Sequence, residues 1–405
     1  MATIHPFPAL RPKPGFASRI CELPYDVMSS DEARAMAHDN PLSFLHVSKP
    51  EIDLEPSTDL YDPRVYAKGR ENFQRLIRDG SLSQDKASCL YLYRQVMGEH
   101  SQVGIVAAAS CEDYTKDIIK KHELTRPDKE DDRVRHIETL DSQTGPVFLT
   151  YRAVPRVDAF VAKKTQETPD VDFTGKDGVR HMAWAIRDES DIAMLRREFE
   201  QIPSLYVADG HHRSAAAVRV WKKRQATSPS SAFFLAVIFP HNQMQILPYN
   251  RVVKDLNRLG LDGFAQRMRQ LGHFEIHAQP SPTGKHEICV FLDGVWNVFR
   301  WRKDLIPKDD PTAQLDVSLL QQHVLAPLLG IDDPRTSKRI QFVGGIRGTG
   351  ELEQLVRSGE WAVAFSLFPT QIEDLMQIAD QGGIMPPKST WFEPKLRDAM
   401  FCHMI

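Results

Sequence analysis

Five consecutive polar positions, Asp209-Gly210-His211-His212-Arg213, interrupt an otherwise apolar stretch and carry the densest chemistry in the chain. They follow the strand-like run Ser204 to Ala208 and precede an Ala-rich segment with helical spacing. A strand-to-helix turn aims the orphan N–H groups of a first helical turn outward, and Gly210 lets backbone approach a ligand closely. Arg213 supplies a fork of donors suited to phosphate, while His211 and His212 add one donor each. A phosphate is the matching ligand. Asp209 would repel it unless Mg²⁺ intervened, so Asp209 is expected to hold Mg²⁺ with a nucleotide. A structural alternative has Asp209 capping a helix whose first turn is merely solvated. A third reading, zinc, meets the difficulty that adjacent histidines splay on a helix and the usual i, i+4 pair is missing.

A second polar cluster contains His122, Glu123 and Thr125, followed by Asp131, Asp132 and Arg133. Phosphoryl transfer needs a carboxylate to take the acceptor's proton, and Glu123 or Asp132 has that chemistry. His122, Thr125, Asp132 and Arg133 are then candidate substrate contacts, against the alternative of an exposed charged helix. Near the C-terminus, Met385 to Lys395 combines prolines, lysines and aromatics, with Lys388 a candidate phosphate contact and Ser389 and Thr390 candidate substrate contacts. The alternative is an aromatic lid. Pro24-Tyr25-Asp26 reads as a structural turn, and Gly344 to Gly350 as a flexible turn, lacking the Lys-Ser/Thr of a nucleotide loop. Neither a Gly-x-Ser-x-Gly elbow nor a His-Glu-x-x-His helix occurs.

Positioning these groups falls to a mixture of strands and helices. Ser29 and Glu32 predict a capping box ahead of a helix over Asp31 to His38, and Asp62, Pro63 and Gly80 bracket a helix between them. Strands are predicted at Leu90 to Tyr93, Val103 to Ala109, Val147 to Leu149, Val179 to Ile186, Leu205 to Val207 and Phe233 to Phe239. Helices are predicted at Asp188 to Gln201 and Ala215 to Arg224, with a hairpin about Asp293-Gly294 and later helices at Leu315 to Leu329 and Gln371 to Gln381. This pattern divides into an N-terminal arm and helix (1–80), a phosphate-binding unit (81–255) and a C-terminal α/β unit (256–405).

Of 405 residues 41% are hydrophobic, enough for sizeable cores. Lys plus Arg is 51 against 54 Asp plus Glu, a formal net charge of -3, which recruits neither nucleic acid nor an anionic membrane. The apolar run Ala232 to Phe239 is far short of a membrane span. Prolines at the N-terminus break any export signal, and the five scattered cysteines suit a reducing compartment, so a cytoplasmic protein is expected.

The Asp-Gly-His-His-Arg turn resembles the phosphate-binding turn of the ParB/sulfiredoxin fold, and in particular that of the free serine kinases of that superfamily. The resemblance implies a mixed α/β, ParB/sulfiredoxin-like nucleotide-binding core with a second α/β unit. It also implies an ATP- or ADP-dependent kinase acting on a hydroxyl of a small molecule such as free serine. His211 stands where sulfiredoxin carries its reacting cysteine, so sulfur reduction is not implied. A broader likeness runs through Pro24 to Val27, Lys121 to Thr125, Asp132-Arg133, Tyr206 to Arg213 and Met385 to Thr390. Through these motifs the chain resembles the domain of unknown function 1015 family. The competing functions are a nucleotide-binding switch or partner-binding module, and a phosphatase using the same turn.

Overall fold

A computed structural model describes residues 1–224, 227–276 and 279–405, and the fold is mixed α/β. Two compact units divide the chain: Met1–Met244 with Pro394–Ile405, and Gln245–Glu393. The sequence reading sets a boundary at 255/256 and has the arm and helix of 1–80 packing on the core. The boundary falls earlier because Gln245–Leu247 and Tyr249–Val253 pair with strands of the second unit, and sheet pairing ties both termini into the first. Ile4–His5 pairs with Ala109 and Ala108, Leu10–Pro12 pairs with Leu82–Gln84, and His403–Met404 pairs with Gln143 and Ser142.

The first unit is built on a sheet of nine strands among the described residues. Across it run Ile119–Lys120, Leu205–Asp209, Val147–Tyr151, Phe233–Pro240, His100–Ser110, Leu90–Met97, Arg180–Ile186 and Val171–Thr174, with Ile4–His5 added against His100–Ser110. Central strands such as Val147–Tyr151 and Phe233–Pro240 are apolar on both faces because both faces are covered, and Val147, Leu149, Ala236 and Ile238 join one core with Leu195 and Phe199. The helix Pro63–Arg78 begins as its signals require. Asp62 accepts the Arg64 N–H at 2.8 Å, and Phe73 and Leu76 bury against Phe44, Leu82 and Cys402. Ser29 and Glu32 form the expected capping box on the helix Ser30–Ala37. The charged stretch after Lys116 contains the helix Pro127–Leu140, whose Val134 and Ile137 face the core.

The second unit carries a six-stranded antiparallel sheet in the order Gly272–Ile276, Val295–Trp301, Glu287–Leu292, Val363–Leu367, Tyr249–Val253, Ile340–Gly344. The hairpin at Asp293-Gly294 is present, with both residues at positive φ as such a turn demands. Two sequence readings need correction here. Gly348–Arg357 is a helix where a flexible turn was expected: its glycines weaken the local signal, and burial of Leu352 beside Trp361 supplies the stabilisation that propensity lacks. The single helix expected over Leu315 to Leu329 is instead Asp316–Leu320 followed by a wider π-helical turn, Gln321–Leu325.

Candidate functional site

The two polar clusters of the first unit meet because two strands are parallel. Leu205 pairs with Ile119 and Tyr206 with Lys120, so both strands end on the same side of the sheet. Residues a few positions beyond each pair, His122 and Glu123 on one chain segment and Asp209 to His211 on the other, therefore converge. The helix His211–Arg224 starts there. Its entry needs Gly210, whose φ of +94 is unfavourable for any side chain, and a Cβ at this position would lie 3.1 Å from Nε of Arg213.

Arg213 folds back under this turn rather than pointing to solvent. It is buried, donates from Nη1 to the Pro146 carbonyl and lies 3.8 Å from Asp209 Oδ1. Asp209 in turn accepts the Gly210 N–H at 2.7 Å and faces Lys395 Nζ at 3.1 Å. Burial alone would raise the Asp209 pKa, but Lys395 and Arg213 outweigh it and hold the carboxyl well below its usual range. Lys395 is itself placed by the C-terminal segment, where its carbonyl accepts from Gln95 Nε2 at 2.9 Å.

His122 and His211 stand edge to face, ring centroids 4.5 Å apart, both buried. Desolvation pushes His122 down to about 4 and His211 well below its ordinary value, so both are neutral near pH 7. Glu123 Oε2 lies 4.0 Å from His211 Nδ1, and its side chain keeps 39% of its exposure. It is a carboxylate beside the turn with access to solvent. Asp132 is instead held by Arg133 at 2.6 Å and by the Tyr66 hydroxyl at 2.8 Å, an engagement that suits it poorly to proton transfer.

The remaining sequence candidates take other positions. His212 Nε2 accepts the Arg126 N–H at 3.0 Å, and Thr125 donates to Glu130 at 2.9 Å. Arg133 stacks on Tyr25 at 3.8 Å, and together with Arg213 and Asp398 they line a cavity of about 30 Å³. Within the turn Pro24-Tyr25-Asp26, Tyr25 thus lines that cavity. Lys388, Ser389 and Thr390 belong to the second unit, where the Lys388 carbonyl accepts from Arg251 Nη2 at 3.0 Å and Ser389 Oγ donates to the Pro386 carbonyl at 2.6 Å. Sequence reasoning missed Lys395 and Asp398. The lysine closes the Pro-rich segment Met385 to Lys395, and nothing local to an Arg397-Asp398 pair signals that burial pushes the Asp398 carboxyl up to about 7. Thiol chemistry finds no support, since all five cysteines are buried and burial pushes Cys111 and Cys289 up to about 12.

Two stability predictions arise from this packing. Gly210→Ala is expected to cost roughly 1–3 kcal/mol, from the positive φ and the crowding of Arg213, read as a lower midpoint in chemical denaturation. An unchanged midpoint would show that the turn relaxes freely. The second concerns acid. His122, His136 and His403 are pushed by burial to about 4, below the 6.5 of an unfolded chain. Between those values the unfolded state binds more protons, so this contribution is complete above about pH 6.5 and is lost as pH falls through about 4. Asp398 and Asp316, raised to about 7 by burial, act in the opposite sense but are outnumbered once His181 and His211 are included. Denaturation midpoints should fall steadily across that interval, and a flat profile would contradict the assignment of neutral imidazoles.

Comparison with known proteins returns distant likenesses and one family. A free serine kinase in complex with AMP has a TM-score of 0.37 and 11% identity over 71% of this chain and 86% of that one. SbnI with a C-terminal truncation, from Staphylococcus aureus, has a TM-score of 0.40 and 13% identity over 72% and 85%. A conserved hypothetical protein from Pyrococcus furiosus has a TM-score of 0.35 and 12% identity over 73% and 93%. Likenesses of that size leave function to be argued from the site. No curated protein matches the chain in sequence. The family model described as "Protein of unknown function (DUF1015)" matches residues 4–318, well over half of the 405 residues, and the chain belongs to that family.

Proposed function

We propose that the first unit is a nucleotide-dependent phosphotransferase that moves a terminal phosphoryl group from ATP or ADP to the hydroxyl of a small molecule. The observation that carries this reading is the convergence of Arg213, Lys395 and the start of the helix His211–Arg224 on Asp209, with Glu123 beside them. Phosphoryl transfer asks a protein mainly for positioning and charge neutralisation, plus a carboxylate for one proton. The core is read as ParB/sulfiredoxin-like, and free serine as acceptor rests on the resemblance of the five-residue turn to the free serine kinases.

In this reading the backbone N–H groups that open the helix His211–Arg224 receive the phosphates, and Arg213 Nη2 and Lys395 Nζ both exchange Asp209 for a phosphate oxygen. Glu123 accepts the hydroxyl proton, the hydroxyl oxygen forms its bond to the terminal phosphorus, and the bond from that phosphorus to the bridging oxygen breaks. The shortened nucleotide keeps the leaving electron pair. Mg²⁺ would neutralise phosphate charge, and Asp209 offers it a hard oxygen ligand once Lys395 turns to phosphate. Asp209→Asn is therefore expected to weaken Mg²⁺-nucleotide binding in calorimetry.

The functional test incubates the full chain with Mg²⁺, ATP or ADP and a pool of hydroxyl metabolites that includes serine, then searches by mass spectrometry for gain of phosphate. A phosphorylated product supports the kinase. Nucleotide binding without turnover points to a switch, and loss of phosphate from added phosphoesters points to a phosphatase. Either result overturns the kinase reading.

A further inference from the structure

His122, Glu123 and His211 form a cluster that the phosphate reading does not exhaust. One ligand atom from each lies within 4.8 Å of the others. Both imidazoles are buried, at 2% and 5% exposure; the Val207 backbone engages one ring nitrogen of His122 only loosely, and the other His122 nitrogen and Nε2 of His211 have no hydrogen-bond partner. Buried polar atoms are nearly always satisfied, because each one left bare keeps its full desolvation cost. Two bare nitrogens, one on each of two facing rings, are an unusual concentration. A hydroxyl or water would satisfy one or two of them. A cation satisfies a lone pair from each ring at once.

We propose that His122 and His211, completed by Glu123, bind one divalent transition-metal ion, with Zn²⁺ the best match. Two imidazoles and a carboxylate are the donor set of borderline ions, whereas Mg²⁺ prefers oxygen ligands throughout. Zinc's usual bond lengths of about 2.0–2.2 Å place tetrahedral ligand atoms roughly 3.4 Å apart, so the cluster must tighten modestly by side-chain rotation. The partner of His211 is not its neighbour. His212 accepts from Arg126, and the second imidazole comes instead from the segment just beyond the strand Ile119–Lys120, which runs parallel to Leu205–Asp209. Three protein ligands leave a fourth position for water or a substrate oxygen. The site stands on its own side chains and does not depend on the phosphotransfer reading. An ion held there takes the Glu123 carboxylate away from proton transfer, so loading and Glu123-dependent turnover exclude each other.

The test strips the full chain with a chelator, removes the chelator, and titrates ZnCl₂ by calorimetry without nucleotide, with CoCl₂ followed by visible absorption as a second readout. The expected result is one Zn²⁺ per chain and the intense visible bands of a four-coordinate cobalt site. His122→Gln and His211→Gln should each abolish both signals while circular dichroism remains native. His38→Gln, which removes an exposed imidazole, should leave them unchanged. Absence of binding by the wild type overturns the proposal whatever the variants do. Binding that survives both buried substitutions, binding lost with His38, or binding of Mg²⁺ in preference to Zn²⁺ overturns it equally. Because no nucleotide is present, failure here leaves the kinase test untouched, and failure of the kinase test leaves this one standing.

Discussion

Glu123→Gln is expected to leave nucleotide affinity nearly unchanged and to slow phosphoryl transfer by roughly 10²–10⁴-fold, the usual worth of a positioned general base. The substitution keeps size and hydrogen-bonding capacity while removing the proton acceptor. Geometry favours this residue over its rivals. Asp209 is bracketed by Lys395 and Arg213, and Asp132 by Arg133 and Tyr66, whereas Glu123 stands next to His211 with solvent access. Single-turnover rates at saturating nucleotide measure the effect without interference from product release. Full turnover in the Gln variant would remove Glu123 from the mechanism. If Asp209→Asn bound nucleotide normally but did not turn over, Asp209 would take the base's role.

Arg213→Ala is expected to weaken ATP or ADP binding by about one to two decades, since a charged donor to phosphate contributes roughly 1.5–3 kcal/mol. Its burial adds a second effect. Arg213 offsets the charge of Asp209 and, through the cavity they share with Tyr25 and Arg133, that of Asp398. Removing it leaves Asp209 to Lys395 alone and weakens the compensation of Asp398, so the Ala variant should also unfold at lower denaturant. Arg213→Lys separates the two effects. The ammonium keeps the charge but not the forked geometry, so the fold should survive while nucleotide binding remains impaired. Equal calorimetric affinities for wild type and a folded Lys or Ala variant would sink the phosphate-turn hypothesis.

The turn itself was legible in the residues: an apolar strand, Asp-Gly, and an Ala-rich helix state a local geometry that needs no distant partner. So were the capped helices at Ser30–Ala37 and Pro63–Arg78 and the hairpin at Asp293-Gly294, because caps and tight turns are satisfied within a few residues. Only tertiary structure decided what faces the turn. The parallel pairing of Ile119–Lys120 with Leu205–Asp209 brings His122 and Glu123 to His211 across nearly ninety positions, and the C-terminal segment carries Lys395 back to Asp209. Periodicity reports which face of an element is buried, not which strand lies beside it, and parallel neighbours have no short connection to betray them. The same limit hid the helix Gly348–Arg357, whose glycines argue against helix locally while burial of Leu352 argues for it globally. Sequence determined the chemistry available at the turn, and the fold determined which distant groups complete it, since burial and charge pairing are properties of neighbours in space.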